Sequence, residues 1–406
     1  MQNFSFCSPT HFEFGKGTES KTAELVKKYG GTKVLLHYGG GSIKKSGLYD
    51  RVVKSLTDGG IGFVELGGVQ PNPIDTLVYE GVELCRKENV DFILAVGGGS
   101  VIDSAKAIAL GAVYDGDFWD FFSGTPAEKA LPVGVVLTIS AAGSEGSLNT
   151  VITKISETGS ATSELTEDKI PVPTASTEAS RQNRKSAVAA ECIRPMFAIL
   201  NPELTQTLPA YHTAAGATDI IVHILERYFS NTENVEVTDR LCEGLLLTMF
   251  NQTPLVIADP DNYDARANIM WAGMLAHNNV CGVGRDQDWA SHIMEHELSS
   301  FFGAIHGAGL AVMSPAWMKF VSKKNPHKLQ QFAERIWGVS TIEEGIAKYQ
   351  AFLKDIGMPS SITEFGATEA DIPLMAEHMG LTDEPGFGGY VPLNRSDVEE
   401  IYRLAL

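Results

Sequence analysis

The 406-residue sequence predicts two parts: an N-terminal α/β domain with a parallel sheet covered by helices on both faces, and an all-α C-terminal domain. Three observations carry this. Short apolar runs alternate with helix-like stretches as far as Pro202. Several of those runs end in glycine-rich turns. From about Leu208 apolar residues recur at the helical period, and the strand-like clusters of Val, Ile and Thr stop. The expected division is residues 1–205 and 206–406.

Taken in order, Thr10–Gly15 alternates with period two and is expected to form an antiparallel hairpin arm with Phe4-Ser5-Phe6. Ser20–Tyr29 and Ile74–Glu88 read as helices. Strands are expected at Lys33–His37, Gly62–Leu66, Phe92–Val96, Val133–Ile139 and Met196–Leu200. Short strands separated by helices pair in parallel and are buried on both faces. Residues Ser156–Arg184 are rich in Ser, Thr, Glu and Pro and are expected to be a long exposed loop. The second half carries helical periodicity over Ala214–Phe229, Val235–Asn251, Asp264–Asn279, Ala290–Phe301, Lys328–Trp337 and Thr341–Ile356.

Composition narrows the function. Hydrophobic residues make up 44% of the chain, enough for sizeable cores. A net charge of −18 argues against nucleic-acid partners and anionic membrane surfaces, though a local site for one small phosphorylated ligand is compatible with it. No apolar run approaches the ~20 residues that span a bilayer, and Met1–Phe6 does not resemble a signal peptide. The five cysteines are scattered, with no CxxC pair. A cytoplasmic protein is expected.

Two expected strands run into Gly-Gly-Gly-Ser: Gly39-Gly40-Gly41-Ser42 and Gly97-Gly98-Gly99-Ser100. A third ends at Thr138-Ile139-Ser140. Bare backbone N–H groups at the start of a helix suit phosphate, and ligands of open α/β sheets sit beyond the carboxyl ends of the strands. Three such ends point to a bound dinucleotide, although GxGxxG is absent. The first loop contains no acid for a ribose 2′-hydroxyl but has Ser42, Lys44 and Lys45, which favours NADP(H) over NAD(H). The alternative is that both lysines are ordinary solvated charges.

The helical half suggests a metal. Asp219 and His223 lie four apart with Ile, Ile and Val between them, so both face one side of a helix in apolar company. His292 and His296 repeat the spacing, and His306 follows an expected helix break at Gly303. One aspartate with several histidines suits Zn²⁺ or Fe²⁺ used as a Lewis acid. HExxH is absent.

These motifs carry a family resemblance. Gly97–Lys106 is similar to the GGGSxxDxAK signature of the iron-containing, or group III metal-dependent, alcohol dehydrogenases, and Asp219-x3-His223 with His292 and His306 resembles their metal set. Tyr38–Lys45, Asn268–Trp271 and Gln287–Ala290 resemble the NADPH-dependent butanol dehydrogenase and broad aldehyde reductase subgroup. The resemblance is nearly whole-chain. It implies a two-domain architecture like that of dehydroquinate synthase, with the active site in the cleft and a homodimer as the assembly. It implies Asp219, His223, His292 and His306 as ligands to Fe²⁺ or Zn²⁺, and His296 beside the reacting end of the cofactor. His296 is then the candidate for relaying a proton; the alternative is that it only packs against the nicotinamide. It further implies that Asn72, Gly98, Gly99, Ser100, Asp103 and Thr138 line the cofactor groove and that Lys185 reaches the cofactor ribose. Ala142 and Asn201 depart from the family's common threonine and aspartate. The implied activity is hydride transfer between NADP(H) and a primary alcohol or aldehyde. Rivals are a glycerol dehydrogenase-like polyol enzyme, a dehydroquinate synthase-like lyase, and a non-catalytic metal- or nucleotide-binding descendant.

Overall fold

The computed structural model describes residues 1–141, 143–155 and 183–406. Its strands are β1 His11–Phe14, β2 Lys33–Gly39, β3 Gly62–Val69, β4 Phe92–Gly97, β5 Val133–Leu137, β6 Asn149–Lys154, β7 Arg184–Ala189 and β8 Phe197–Leu200. Six of them form one sheet in the order β1-β8-β5-β4-β2-β3, and every pairing in it is parallel. Between the strands lie α1 Thr22–Lys28, α2 Ser42–Lys45, α3 Leu48–Asp58, α4 Asp75–Glu88, α5 Gly99–Ala112 and α6 Trp119–Phe122.

Alternation along the strands builds two cores. Val34, Leu36, Phe92, Leu94 and Val96 face one side, under α1 and α3. Leu35, Ile93 and Ala95 face the other, against Val78 of α4 and Ile102, Ala105 and Ile108 of α5. All six residues of β4 are buried, which is why this central strand is apolar throughout. His37 is buried in this sheet. Its Nδ1 lies 2.8 Å from the Leu66 carbonyl and its Nε2 2.9 Å from Ser104 Oγ. Those partners fit a neutral ring donating from Nδ1, and burial lowers its pKa to about 4.

The chain leaves β2 to make β3 on one side of it, then returns to make β4 on the other. The topological switch point therefore lies between β2 and β4, and the two Gly-Gly-Gly-Ser turns leave their carboxyl ends.

One expectation is corrected here. His11–Phe14 does not pair with Phe4–Phe6 in an antiparallel arm. It adds in parallel to β8 at the sheet edge, with His11 opposite Phe197 and Phe14 opposite Leu200. Alternation marks a half-buried strand but says nothing of its partner, which here arrives some 185 residues later. The expected exposed loop falls, for residues 156–182, outside the described residues. Its end is structured: Asn183 is buried and Arg184 opens β7. The antiparallel β6–β7 pair, with Thr153 opposite Lys185, was not foreseen from the sequence.

After β8 no strand occurs among the described residues, and nine helices follow: α7 Ala210–Tyr228, α8 Glu236–Ala258, α9 Tyr263–His277, α10 Ala290–Phe302, α11 His306–Val321, α12 His327–Trp337, α13 Ile342–Asp355, α14 Ile372–His378 and α15 Arg395–Leu404. They share one core rich in aromatics, including Phe229, Phe301, Phe302, Trp317, Phe332, Tyr349 and Tyr402. By length and composition α8 alone among the described helices could cross a membrane, at a mean hydropathy of 1.3. Cys242, Leu246 and Met249 of α8 are fully buried in this helical core.

Candidate active site

α7 presents Asp219, His223 and Glu226 on one face, at i, i+4 and i+7. α10 presents His292 and Glu295 three residues apart. α10 then ends in a left-handed turn at Gly303 (φ 66), and α11 begins at His306, which turns back towards the other two helices.

These elements bring four donor atoms around one point. Asp219 Oδ1 lies 3.4 Å from His223 Nε2, 3.6 Å from His292 Nε2 and 3.8 Å from His306 Nε2. Tetrahedral coordination with bonds near 2.1 Å has ligand–ligand edges of about 3.4 Å. Asp219 Oδ1 and His292 Nε2 are buried without a hydrogen-bond partner. Orphaned polar atoms converging in apolar surroundings are what a divalent cation satisfies. Asp219, His223 and His292 retain only 5–7% side-chain exposure and His306 retains 25%, so the site opens on the His306 side.

The outer partners orient the rings. His292 Nδ1 donates to Glu226 and His306 Nδ1 donates to Glu295, which leaves each Nε2 lone pair facing Asp219. Glu226 also accepts the His292 backbone N–H at 3.1 Å. Burial opposes charge on His292, but Glu226 and Asp219 outweigh it and push its pKa up to about 9. The pocket thus has an excess of negative charge that a proton meets when no cation does. His223 differs. Burial first, then the neighbouring His277 and His292, hold its pKa well below the usual range. Its Nδ1 faces His277 Nδ1 at 3.1 Å, and His277 Nε2 faces the Asn149 side chain at 3.1 Å. The Asn149 atom there is the amide Nδ2, and the Arg227 guanidinium lies 3.5 Å from His223 Nδ1 and 3.4 Å from His277 Nδ1.

His296 is half-buried, with its ring 5.8 Å from that of His306. Burial, Lys185 and His306 keep its pKa well below the usual value, so the ring is neutral. Lys185 reaches the same region from β7. Its Nζ donates to Asn72 Oδ1 at 3.0 Å and lies 3.4 Å from Ser299 Oγ and 3.8 Å from Glu295 Oε2. Asn72 in turn approaches the Ala304 carbonyl at 3.5 Å. Lys185 and Asn72, expected along the cofactor, are therefore also placed against the metal-side helices.

On the nucleotide side, α5 begins directly after Gly98, giving a 14-residue helix whose N-terminus faces the switch point. A Cβ added to Gly99, Gly40 or Gly41 would meet no atom within 4 Å, so these backbones border open space. Ser140 Oγ is buried with no partner. Bare backbone beside an orphaned hydroxyl suits a pyrophosphate and its sugar. Ser42, Ser100 and Thr138 lie at the same ends of the sheet. Asp103 is committed inward: its carboxylate accepts from Ser144 Oγ at 2.6 Å and from the Val151 N–H at 3.1 Å. Lys106, fully buried, donates to the carbonyls of Ser144, Ser147 and Asn149 at 2.7–3.0 Å. Burial lowers its pKa to about 8. The Asp and Lys of GGGSxxDxAK thus fasten α5 to the turn and hairpin that carry Ser144, Asn149 and Lys185.

Sequence reasoning missed Glu226, Glu295 and His277 as partners of the ligands. A signal existed for the carboxylates, since Glu226 extends the Asp219–His223 stripe by one turn and Glu295 lies three residues beyond His292. None existed for His277, whose role depends on the meeting of α7, α9 and β6.

Fold and site together define the class: an oxidoreductase that joins a parallel, helix-covered sheet to an all-helical part. The chain matches the model for iron-containing alcohol dehydrogenase over residues 9–176 and that for the C-terminal part of the Fe-containing alcohol dehydrogenase family over residues 213–406, and it belongs to this family of alcohol and aldehyde oxidoreductases. It is 38% identical over 412 residues to NADH-dependent butanol dehydrogenase A of Clostridium acetobutylicum, covering 99% of both chains. It is 35% identical over 389 residues to the NADPH-dependent aldehyde reductase YqhD of Escherichia coli, covering 93% of both. The crystal structure of NADH-dependent butanol dehydrogenase A from Thermotoga maritima superposes with a TM-score of 0.89 at 41% identity, covering 100% of this chain and 99% of that one.

Proposed function

We propose that this protein transfers hydride between NADP(H) and a primary alcohol or aldehyde of the butanol/butanal kind, using Fe²⁺ or Zn²⁺ held by Asp219, His223, His292 and His306. The observation that carries the reading is the convergence of the unpartnered Asp219 Oδ1 and His292 Nε2 with the buried His223 and the part-exposed His306, near Lys185 and Asn72. When bound, the cation supplies Lewis-acid polarisation of the substrate oxygen and the nicotinamide supplies the hydride carrier.

The chain's own residues do the rest. Glu226 and Glu295 fix the tautomers of His292 and His306, so the donor set is organised before substrate arrives. Glu295 accepts from Ser299 Oγ at 2.5 Å, which holds that carboxylate in place. His296, at the open side, is the candidate proton relay: burial and Lys185 keep its ring neutral and oppose proton uptake, so a proton taken up in alcohol oxidation is passed on at once. Asn72 and Lys185 orient the nucleotide against the helical domain. Ser42, Lys44 and Lys45 favour NADP(H) over NAD(H); the names of the relatives divide between the two. Gly39–Gly41, Gly98–Ser100, Thr138 and Ser140 contact the dinucleotide, with Asp103 supporting that wall from behind.

We place the domain division near residue 205, between the end of β8 and the start of α7. A cytoplasmic homodimer is the proposed state. The open edge of strand β1, with the exposed Phe14 at its end, supports a second copy there. The test is NADPH oxidation with butanal on purified protein, before and after chelation and after readdition of Fe²⁺ or Zn²⁺. Turnover that is lost on chelation and restored by metal is expected. Metal and nucleotide binding without turnover on any aldehyde or alcohol would favour the non-catalytic alternative.

A further inference from the structure

The turn after β2 contains no acid, yet the fold brings one to it. Glu65 sits on β3, which pairs in parallel with β2 so that Leu36 lies opposite Glu65. Its carboxylate accepts from Tyr38 Oη at 2.9 Å and from Tyr49 Oη at 2.5 Å, one phenol on each oxygen. Lys44 Nζ lies 3.9 Å from Glu65 Oε2. It also lies 4.9 Å from the centre of the Tyr38 ring and 4.8 Å from that of Tyr49. Both rings therefore hold the ammonium against the carboxylate. Gly67 makes the arrangement possible, because a Cβ there would stand 2.5 Å from the Tyr38 ring. The Tyr38 hydroxyl is the main cause of a raised pKa at Lys44, and Glu65 pushes Tyr49 up to about 12.

The place of this cluster gives it meaning. In doubly wound sheets the pyrophosphate lies on the loop and helix that follow a strand at the switch point, and the adenosine ribose falls over the end of the neighbouring strand. Here the phosphate loop follows β4, so the ribose end falls over β2, whose exit turn carries Ser42 and Lys44. A 2′-phosphate would meet an ammonium already compensated by a fixed carboxylate. A 2′-hydroxyl would meet a carboxylate that still has lone pairs to accept it, since the two phenols occupy only part of its capacity.

Resting on the oxidoreductase reading above, we infer that Glu65 is a specificity-determining residue that tempers the preference for NADP(H) by neutralising Lys44, with Tyr38 and Tyr49 as the clamp that holds the pair together. It is a residue the β2 turn itself does not contain.

The experiment is to measure the dissociation constants of NADPH and NADH by quenching of tryptophan fluorescence in the wild type, Glu65→Gln, Lys44→Gln and Tyr49→Phe, with kcat/KM for both nucleotides alongside. Glu65→Gln should move the NADPH/NADH affinity ratio about tenfold towards NADPH, the size expected for removing one charge a few ångströms from a doubly charged phosphate at a solvated surface. Lys44→Gln should move it in the opposite direction. Tyr49→Phe, which loosens the clamp without changing charge, should move it the same way as Glu65→Gln but less. A ratio in Glu65→Gln within about twofold of the wild type, or equal gains for both nucleotides as general relief of the −18 charge would give, overturns the inference. Failure of the wild type to bind either nucleotide would overturn the oxidoreductase reading, and this one with it.

Discussion

The proposed metal side and the proposed nucleotide side are built on opposite principles. The metal side is made of side chains. Four donors converge, and two of them, His292 and His306, are oriented by buried carboxylates. The nucleotide side is made largely of absent side chains, with Gly40, Gly41 and Gly99 bordering open space and a helix N-terminus behind them. A cation demands fixed lone pairs at fixed distances, so the chain supplies rigid imidazoles on helices. A pyrophosphate demands close approach to backbone N–H groups, so the chain supplies glycine. The two sides should therefore break in different ways.

The largest effect belongs to the metal donors themselves. Replacing His306, His292 or Asp219 by Ala should leave protein without bound metal, by elemental analysis, and lower turnover by at least about a thousandfold. Full activity in a verified metal-free His306→Ala protein would remove the metal from the reading. Next in size are the carboxylates behind the rings. Glu226→Gln and Glu295→Gln should weaken metal retention by about 10–100-fold in competition with a chelator, while NADPH affinity stays as in the wild type for Glu226→Gln, which lies away from Lys185. A loss of nucleotide affinity equal to the loss of metal would show that the two sides are not separable.

The reciprocal test uses Gly99→Val. Its side chain has room in the fold but stands where we propose that the pyrophosphate binds. Nucleotide affinity should fall at least about tenfold, with bound metal and melting temperature unchanged. An unchanged NADPH dissociation constant would place the nucleotide elsewhere.

The same contrast explains what was legible in the sequence. Asp219, His223 and His292 could be found because a helix converts spacing into a shared face, and a carboxylate or imidazole among Ile and Val stands out. The glycine turns could be found because they follow strand-like runs. The positions of Tyr38, Glu65 and Tyr49 were not legible, because their meeting depends on the lateral pairing of β2 with β3 and not on any spacing along the chain. The partner of His11–Phe14 was hidden for the same reason. Lys185 was legible only through family likeness, since its position depends on the pairing of β7 with β6. Lys106 was legible only as part of the GGGSxxDxAK signature, and its burial on three carbonyls depends on how α5 meets the turn and strand that follow β5.

The smallest expected effect tests a position that belongs to neither side. Asn201 stands where an aspartate is common in the family. It is almost fully buried, and its side chain works in two directions: Oδ1 accepts the Glu203 N–H at 3.1 Å and caps the turn after β8, while Nδ2 donates to Glu19 Oε2 at 3.0 Å. Arg51 holds the other oxygen of Glu19 at 2.8 Å. An aspartate would keep the cap but set a second carboxylate against Glu19 in a buried place. Asn201→Asp should therefore cost about 1–3 kcal/mol of stability and leave metal content and the NADPH dissociation constant unchanged. Pairing it with Glu19→Gln supplies an amide donor from the other side. The double variant should be less destabilised than the sum of the single ones by about 1 kcal/mol in denaturant titrations. Strict additivity would mean that Asn201 and Glu19 do not act on each other, and that the asparagine serves the turn alone.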